Sequence, residues 1–415
     1  MPRPLGWSLL TVAMFTLGQA VGQPTPTDPL KDLKDPKGPA VPAMIPKGVL
    51  PNGTMPPPAT GTGTTSPSMS TDQPQWPKEI LGKKLDVWTR DIRDPDPSVR
   101  ENAIRTVGLF GPTAKKMAAR NLIASLDDDD ASCRLNAIMA VSSIGFEDVT
   151  DVRVAVNSLT RLLRYSQSIV RYHACMALGN LGPDAAPAIG DLCTYSMRDT
   201  STWEIRRAAA FALGRIAIPD KDQPADRRAH IALANALTDP SGIVRREAMQ
   251  SLLMLGRPGL PADLQVLRDR ILQHAVKDKD RSVAIWARVC LMRLDPGAPN
   301  PTNITALSNL LKHKDPVVVL QATQAIGVIG PTAKQAIPDL IELLGNEEPA
   351  CVTTACWALS LMGADANDAI VKLTALTKSK DEIISKAAQE AIDYITGKKK
   401  YEVPKAAKAA AVNKK

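Results

Sequence analysis

Alanine stands at Ala103, Ala137, Ala174, Ala209, Ala248, Ala287, Ala322, Ala355 and Ala388, each time three residues after an anchor position. The anchors are Arg100, Arg134, Arg171, Arg206, Arg245, Ala284, Val319, Val352 and Ser385, separated by 33 to 39 residues. A period of that length marks a supersecondary unit that buries its apolar face only by stacking on copies of itself. The nine copies predict an all-α, right-handed solenoid of about nine helical hairpins over residues 78–397.

The flanking columns say what each unit is. Before the anchor stand Val99, Cys133, Val170, Ile205, Val244, Val283, Val318, Cys351 and Ile384. Seven residues after it stand Val107, Val141, Leu178, Leu213, Leu252, Leu291, Ile326, Leu359 and Ile392. With the alanines these positions form one stripe at helical spacing. A methyl group on that stripe lets a neighbouring helix approach to the short end of the usual range. Asp96-Pro97 and Asp315-Pro316 predict capped helix starts. Gly111, Gly145, Gly182, Gly256, Gly330 and Gly363 predict helix stops in the left-handed conformation. Second helices are read from Ala333 to Leu344 and from Ile304 to Leu311, and the 39-residue spacings place insertions at Pro219 to Asp226 and a longer second helix around Leu264 to Val276.

The run Ile169-Val-Arg-Tyr-His-Ala-Cys-Met-Ala-Leu-Gly-Asn-Leu-Gly182 resembles the HEAT repeat, and specifically the short HEAT-like, armadillo-like form found in phycobilisome (PBS) bilin lyases. The resemblance implies a scaffold or adaptor that grips partners along an extended surface. It also implies that aspartate and arginine columns form a structural ladder. Carried onto this sequence, the ladder pairs Arg100 with Asp96 and Arg134 with Asp130, four residues apart on one face. At Arg171, Arg206 and Arg245 the local acid is replaced by Gln167, Thr202 and Ser241, so a stripe that binds an anionic partner is sought at those three arginines. The last four anchors carry no arginine.

The flanks differ in kind from the body. Met1 to Gly22 reads as a secretory signal, with Arg3, an apolar run from Ser8 to Leu17 and a small-residue cleavage site. No other stretch reads as long enough to span a membrane. Residues 23–77 hold 14 prolines in 55 positions and read as a disordered linker. Residues 398–415 form a Lys/Ala-rich tail. The chain carries a formal charge of +8, of which the tail supplies +6 and residues 1–77 supply +1, leaving the body at +1. A basic composition confined to the tail gives no ground for reading the repeats as nucleic-acid binders, and no specific nucleic-acid partner is expected. The tail is expected to make nonspecific contact with an anionic polymer or membrane surface.

Chemical motifs are missing: no phosphate loop, no His-Glu-x-x-His, no Cys-x-x-Cys and no Gly-x-Ser-x-Gly. His173, His230, His274 and His313 lie in four different copies, so no metal site is expected. The six cysteines lie inside repeat helices and read as small hydrophobes, with Cys193 as the exposed one. Asp127 to Asp130 reads as a solvated capping loop, without the alternating ligands of a calcium site. The expected function is non-enzymatic, without cofactor: a scaffold that binds a protein partner outside the cytoplasm along its second helices. An envelope structural protein that self-associates and a bilin-lyase-like enzyme or accessory subunit are the alternatives.

Overall fold

A computed structural model describes residues 76–219, 224–294 and 301–399. The signal-like run, almost all of the expected linker and the tail from Lys400 onward lie outside the described residues. The described chain divides into two compact units, one ending at Ile218 and one beginning at Pro219.

The amino-terminal unit opens with a small antiparallel hairpin, β1 (Glu79–Ile80) and β2 (Lys83–Lys84), turning through Leu81 and Gly82 at positive φ. Helix α1 (Leu85–Asp91) follows, and its Trp88 Nε1 donates to the Ile80 carbonyl at 3.2 Å. Then come α2 (Pro97–Leu109), α3 (Lys115–Ala124), α4 (Ala131–Ile144), α5 (Val149–Leu162), α6 (Ser168–Leu181), a single turn α7 (Ile189–Asp191) and α8 (Trp203–Ile216). The carboxy-terminal unit holds α9 (Arg227–Ala236), α10 (Gly242–Leu255), α11 (Pro261–Lys277), α12 (Arg281–Leu294), α13 (Pro301–Leu310), α14 (Pro316–Ile329), α15 (Ile337–Leu343), α16 (Pro349–Met362), α17 (Ile370–Leu376) and α18 (Glu382–Ile395). The even-numbered helices from α2 to α8 are the first helices of the four copies in the amino-terminal unit, and those from α10 to α18 are the first helices of five more. The protein is an all-α, repeat-helix solenoid. Among the described residues the ninth first helix, α18, has no second helix after it, while α1 stands in that role ahead of α2.

The alanine column sets the packing. All nine alanines have 0 % of their surface exposed. Each first helix packs against the next within its unit. Apolar burial of this kind contributes roughly 25 cal/mol per Å². Glycine sharpens the approach at a second column, eight residues after the anchor. A Cβ on Gly179 would lie 3.0 Å from the Phe211 ring and from the Ala212 Cα, and one on Gly327 would lie 2.4 Å from the Trp357 ring. Those aromatic rings fill the space that the missing side chains leave.

Starts and stops follow local chemistry. Asp96 accepts from the Ser98 amide at 2.8 Å and Asp315 from the Val317 amide at 2.9 Å. All six expected stop glycines have positive φ. At Gly145, Gly182, Gly256, Gly330 and Gly363, however, ψ runs from −172° to −140°. This is the extended region open essentially to glycine alone, and not the left-handed helical cap expected. At Gly182, Gly330 and Gly363 the chain swings from this conformation directly into a 3-10 turn, Gly182–Ala188, Gly330–Ala336 and Gly363–Ala369.

The run Pro316–Leu343 contains an 18-residue window with a mean hydropathy of 1.3, of which 61 % is buried inside the protein. Its apolarity comes from α14 and α15 together, which Gly330 breaks into the two arms of a hairpin.

Candidate binding surfaces and the arginine ladder

The anchor arginines reach forward to the next copy. Arg100 Nε and Nη2 donate to the two carboxylate oxygens of Asp128, each at 2.9 Å, while Nη1 donates to the Asp94 and Pro95 carbonyls. Arg171 Nε donates to one oxygen of Asp199 at 2.8 Å, Nη2 to Ser201 Oγ, and Nη1 to the Tyr165 and Ser166 carbonyls. Arg245 forks onto Asp278 at 2.9 and 2.7 Å and onto the Asp239 and Pro240 carbonyls. Each guanidinium therefore ties a loop of its own copy to a carboxylate of the following one, in the bidentate geometry that arginine favours at Arg100 and Arg245 and through a single oxygen at Arg171.

Asp96 and Asp130 are elsewhere engaged. Each caps its own helix, Asp96 through Ser98 and Asp130 through the Cys133 amide at 2.9 Å. A carboxylate turned to free amides at a helix start is not available to a guanidinium one turn along. Arg134 donates to the Asp128 and Asp129 carbonyls and lays its guanidinium 4.9 Å from the centre of the Tyr165 ring. Tyr165 holds the position that Asp128 and Asp278 hold in their copies, six residues before the anchor, so a cation–π contact replaces the ion pair. Arg206 donates to the Asp199 and Thr202 carbonyls at 2.9 and 3.2 Å.

The acid column has a second task. Oxygens of Asp94, Asp128, Asp199, Asp239 and Asp278 accept the amide two residues on, at 2.8 to 2.9 Å. In the last three copies His313 Nδ1, Asn346 Oδ1 and Ser379 Oγ take over that role. Burial opposes ionisation of Asp128, Asp199 and Asp278, and hydrogen bonds from Arg100, Arg171, Ser201 and Arg245 outweigh it, holding all three below the ordinary carboxylate value. The Asp278 carboxylate also accepts from or pairs with His274 Nδ1 at 2.8 Å.

Three of the arginines expected to bind a partner are thus occupied within the protein. The side chains of Arg171 and Arg245 are 15 % and 14 % exposed, and their carboxylates 8 % and 3 %.

The two rows of helices offer different surfaces. Neighbouring second helices meet through long charged side chains: Arg120 with Asp151 at 3.2 Å, Arg164 with Asp191 at 2.5 Å, Arg227 with Asp263 at 2.6 Å and Lys312 with Glu342 at 3.0 Å. Neighbouring first helices meet through alanine and glycine. The first-helix row is consequently the tighter one in each unit, and no residue of α6, α8 or α10 except Ser168 is fully exposed. In the amino-terminal unit its outward positions include Leu135, Met139, Tyr172 and Met176, with Met139 42 % exposed.

This architecture matches a known family model. The model for HEAT repeats matches residues 85–168, 195–289 and 299–393, more than half of the chain. The chain belongs to the HEAT-repeat family. No curated protein matches it. Among solved structures, one similar to it is an engineered protein from the Northeast Structural Genomics Consortium, 22 % identical over 75 % of this chain and 88 % of that one, with a TM-score of 0.42.

As a HEAT-repeat protein it is a helical scaffold, and several of its remaining titratable side chains bind within the repeats. Asp127 pairs with Arg161 at 2.8 Å. His230 Nε2 lies 3.0 Å from the Gly256 carbonyl, and burial lowers the pKa of His173. Among the described residues no group of three His, Cys, Asp or Glu side chains converges as a metal would require. All six cysteines are free thiols, and only Cys193 is partly exposed. Burial pushes the Cys133, Cys175 and Cys356 thiols up to about 12. Such thiols are poor nucleophiles.

Proposed function

We propose that the protein is a non-enzymatic adaptor that holds a protein partner outside the cytoplasm, and that the first-helix face of its HEAT units makes the contact. The observation that carries this reading is the contrast between the two rows: ion-paired, splayed second helices against a tight, sheltered first-helix face with Leu135, Met139, Tyr172 and Met176 on it. Aromatic residues and methionine are enriched where proteins bind each other, and methionine adapts to an incoming surface. The ladder arginines act as struts that fix the spacing between copies, which frees them from recognition. Export rests on the signal-like run Met1 to Gly22, and the Lys-rich tail supplies a separate, salt-sensitive contact with anionic material. The likeness to the short repeats of bilin lyases lies in packing columns, and no lyase chemistry is assigned on it.

Affinity capture from the native envelope, compared between two sets of variants, tests the surface. Met139→Lys with Tyr172→Glu should abolish capture while circular dichroism stays unchanged. Lys116→Glu with Arg120→Glu, on the second-helix row, should leave it intact. The reverse outcome moves the contact to the second helices, among which α11 exposes Val266, Leu272 and Val276.

A further inference from the structure

The first helices α14 and α16 carry no charged residue at all. Their outward positions are Val317, 39 % exposed, and the half-buried Gln321, Gln324, Val328, Thr353, Trp357 and Leu361. Helix α12 packs directly against α14, and α14 against α16. Two donors on this apolar surface lack acceptors. Gln324 Nε2 is buried without a hydrogen-bond partner, and among the described residues Arg293, at the α12 edge, has neither an ion pair nor a hydrogen bond. Burial alone pulls the Arg293 pKa below the ordinary guanidinium value, with no anion to offset it.

Comparison with Arg215 shows that this is not simply what a HEAT first helix does at that position. Both arginines stand nine residues after their anchors, and burial lowers the pKa of both. Arg215 donates through Nε to the Gly179 carbonyl at 2.9 Å, a carbonyl left open because Gly179 has no side chain. In the copy before Arg293 the equivalent position is Leu253, buried at 5 % exposure. Leu253 carries a side chain where Gly179 has none. An unpaired, partly desolvated cation costs stability, and so does a buried amide donor without an acceptor.

We propose that the first-helix face formed by α14 and α16, with Arg293 at its edge, binds an apolar peptide segment of a partner protein that presents a carboxylate. The apolar side chains of the segment cover Val328, Trp357 and Leu361. The carboxylate completes Arg293. This site deepens the adaptor reading and rests on it, by naming one chemical class of partner segment for the carboxy-terminal unit.

The test uses the full chain and two probes, acetyl-Leu-Val-Thr-Leu as the free acid and the same peptide as its amide, followed by intrinsic tryptophan fluorescence. The free acid should bind about tenfold tighter than the amide, the range of one charge-assisted hydrogen-bonded contact. In Arg293→Met that preference should fall below about twofold, with the thermal midpoint unchanged or raised because no ion pair is lost. Trp357→Ala should weaken both peptides. Equal affinity of the two peptides for the unaltered protein, or a preference that survives Arg293→Met, overturns the assignment while leaving apolar binding on this face in place. Failure of both peptides to bind, with capture by the Met139 and Tyr172 surface intact, overturns this inference alone. A concentration-dependent dimer that the free acid does not dissociate makes a second copy the occupant and also overturns it.

Discussion

In the ladder-bearing copies the turn into a first helix is tied by Asp128, Asp199 or Asp278, which also holds an arginine of the copy before. In the last three copies the same turn is tied by His313, Asn346 and Ser379, and the preceding anchors are Ala284, Val319 and Val352. Beyond Asp278 the column carries no acid, and the anchors before those turns are not arginines. Tyr165 apart, each turn keeps an acceptor, and from Asp128 onward a carboxylate stands there only where the preceding anchor is an arginine. The carboxy-terminal copies compensate with apolar anchors, Val319 and Val352 being buried at 3 % exposure each.

The sharpest way to break this comparison is to remove the acceptor in each region. Asp128→Ala strands the Arg100 guanidinium and opens the turn, and should destabilise by about 3 kcal/mol. Asn346→Ala loses the turn acceptor alone, and should cost about 1 kcal/mol. Urea unfolding midpoints measure both. Equal losses would mean that Arg100 and Asp128 contribute nothing beyond the turn.

The alanine column should show no such asymmetry. Ala174→Leu in the amino-terminal unit and Ala322→Leu in the carboxy-terminal unit each overpack a fully buried helix contact, at a cost of about 2 kcal/mol. A large effect at one and none at the other would show that the two units pack by different rules.

How much of this was legible in the sequence divides along the same line. The alanine column and the stop glycines depend on contacts and dihedrals repeated once per copy, so aligning the copies finds them. The ladder partners depend on contacts 28 to 33 residues apart, between Arg100 and Asp128 and between Arg245 and Asp278. A rule for residues four apart on one helix selects Asp96 and Asp130 instead, which are caps. The loops carry a usable signal, since Asp94, Asp128, Asp239 and Asp278 each stand six residues before their anchor. The extra residue that puts Asp199 seven before Arg206, and the exchange of acid for Tyr165, hide it. The sheltered first-helix face was not legible at all, because it follows from which row packs more closely.

Acid separates the two regions further. The folded pKa values of Asp128, Asp199 and Asp278 lie below the ordinary value of 3.8. Their stabilisation is then fully present above about pH 4 and is lost as pH falls through the lower, folded values. Asp278→Asn keeps an oxygen for the turn and removes the titrating group. Its unfolding midpoint should lie below that of the parent at pH 7, by about 1 kcal/mol, and the gap should close below about pH 4. Asn346→Asp, where no arginine waits, should change stability by less than about 0.5 kcal/mol at either pH. A gap for Asp278→Asn that stays constant down to pH 2 would remove the ion pair from the account.

The smallest effect belongs to the exception inside the ladder. Tyr165 offers Arg134 a ring face where other copies offer a carboxylate, with the guanidinium 4.9 Å from the ring centre. Arg134 is itself buried, at 8 % exposure, and its Nη1 keeps the two loop carbonyls whatever stands at position 165. Only the ring's electrostatic attraction is at stake. Tyr165→Phe preserves that face and should leave the unfolding midpoint where it is, whereas Tyr165→Leu should cost about 0.5 to 1 kcal/mol. Tyr165→Asp, which restores the residue type of the other ladder copies, should recover the loss and bring in the acid dependence seen at Asp278. If Tyr165→Phe proves as costly as Tyr165→Leu, the hydroxyl rather than the ring holds this step, and the fourth strut of the ladder is a hydrogen bond.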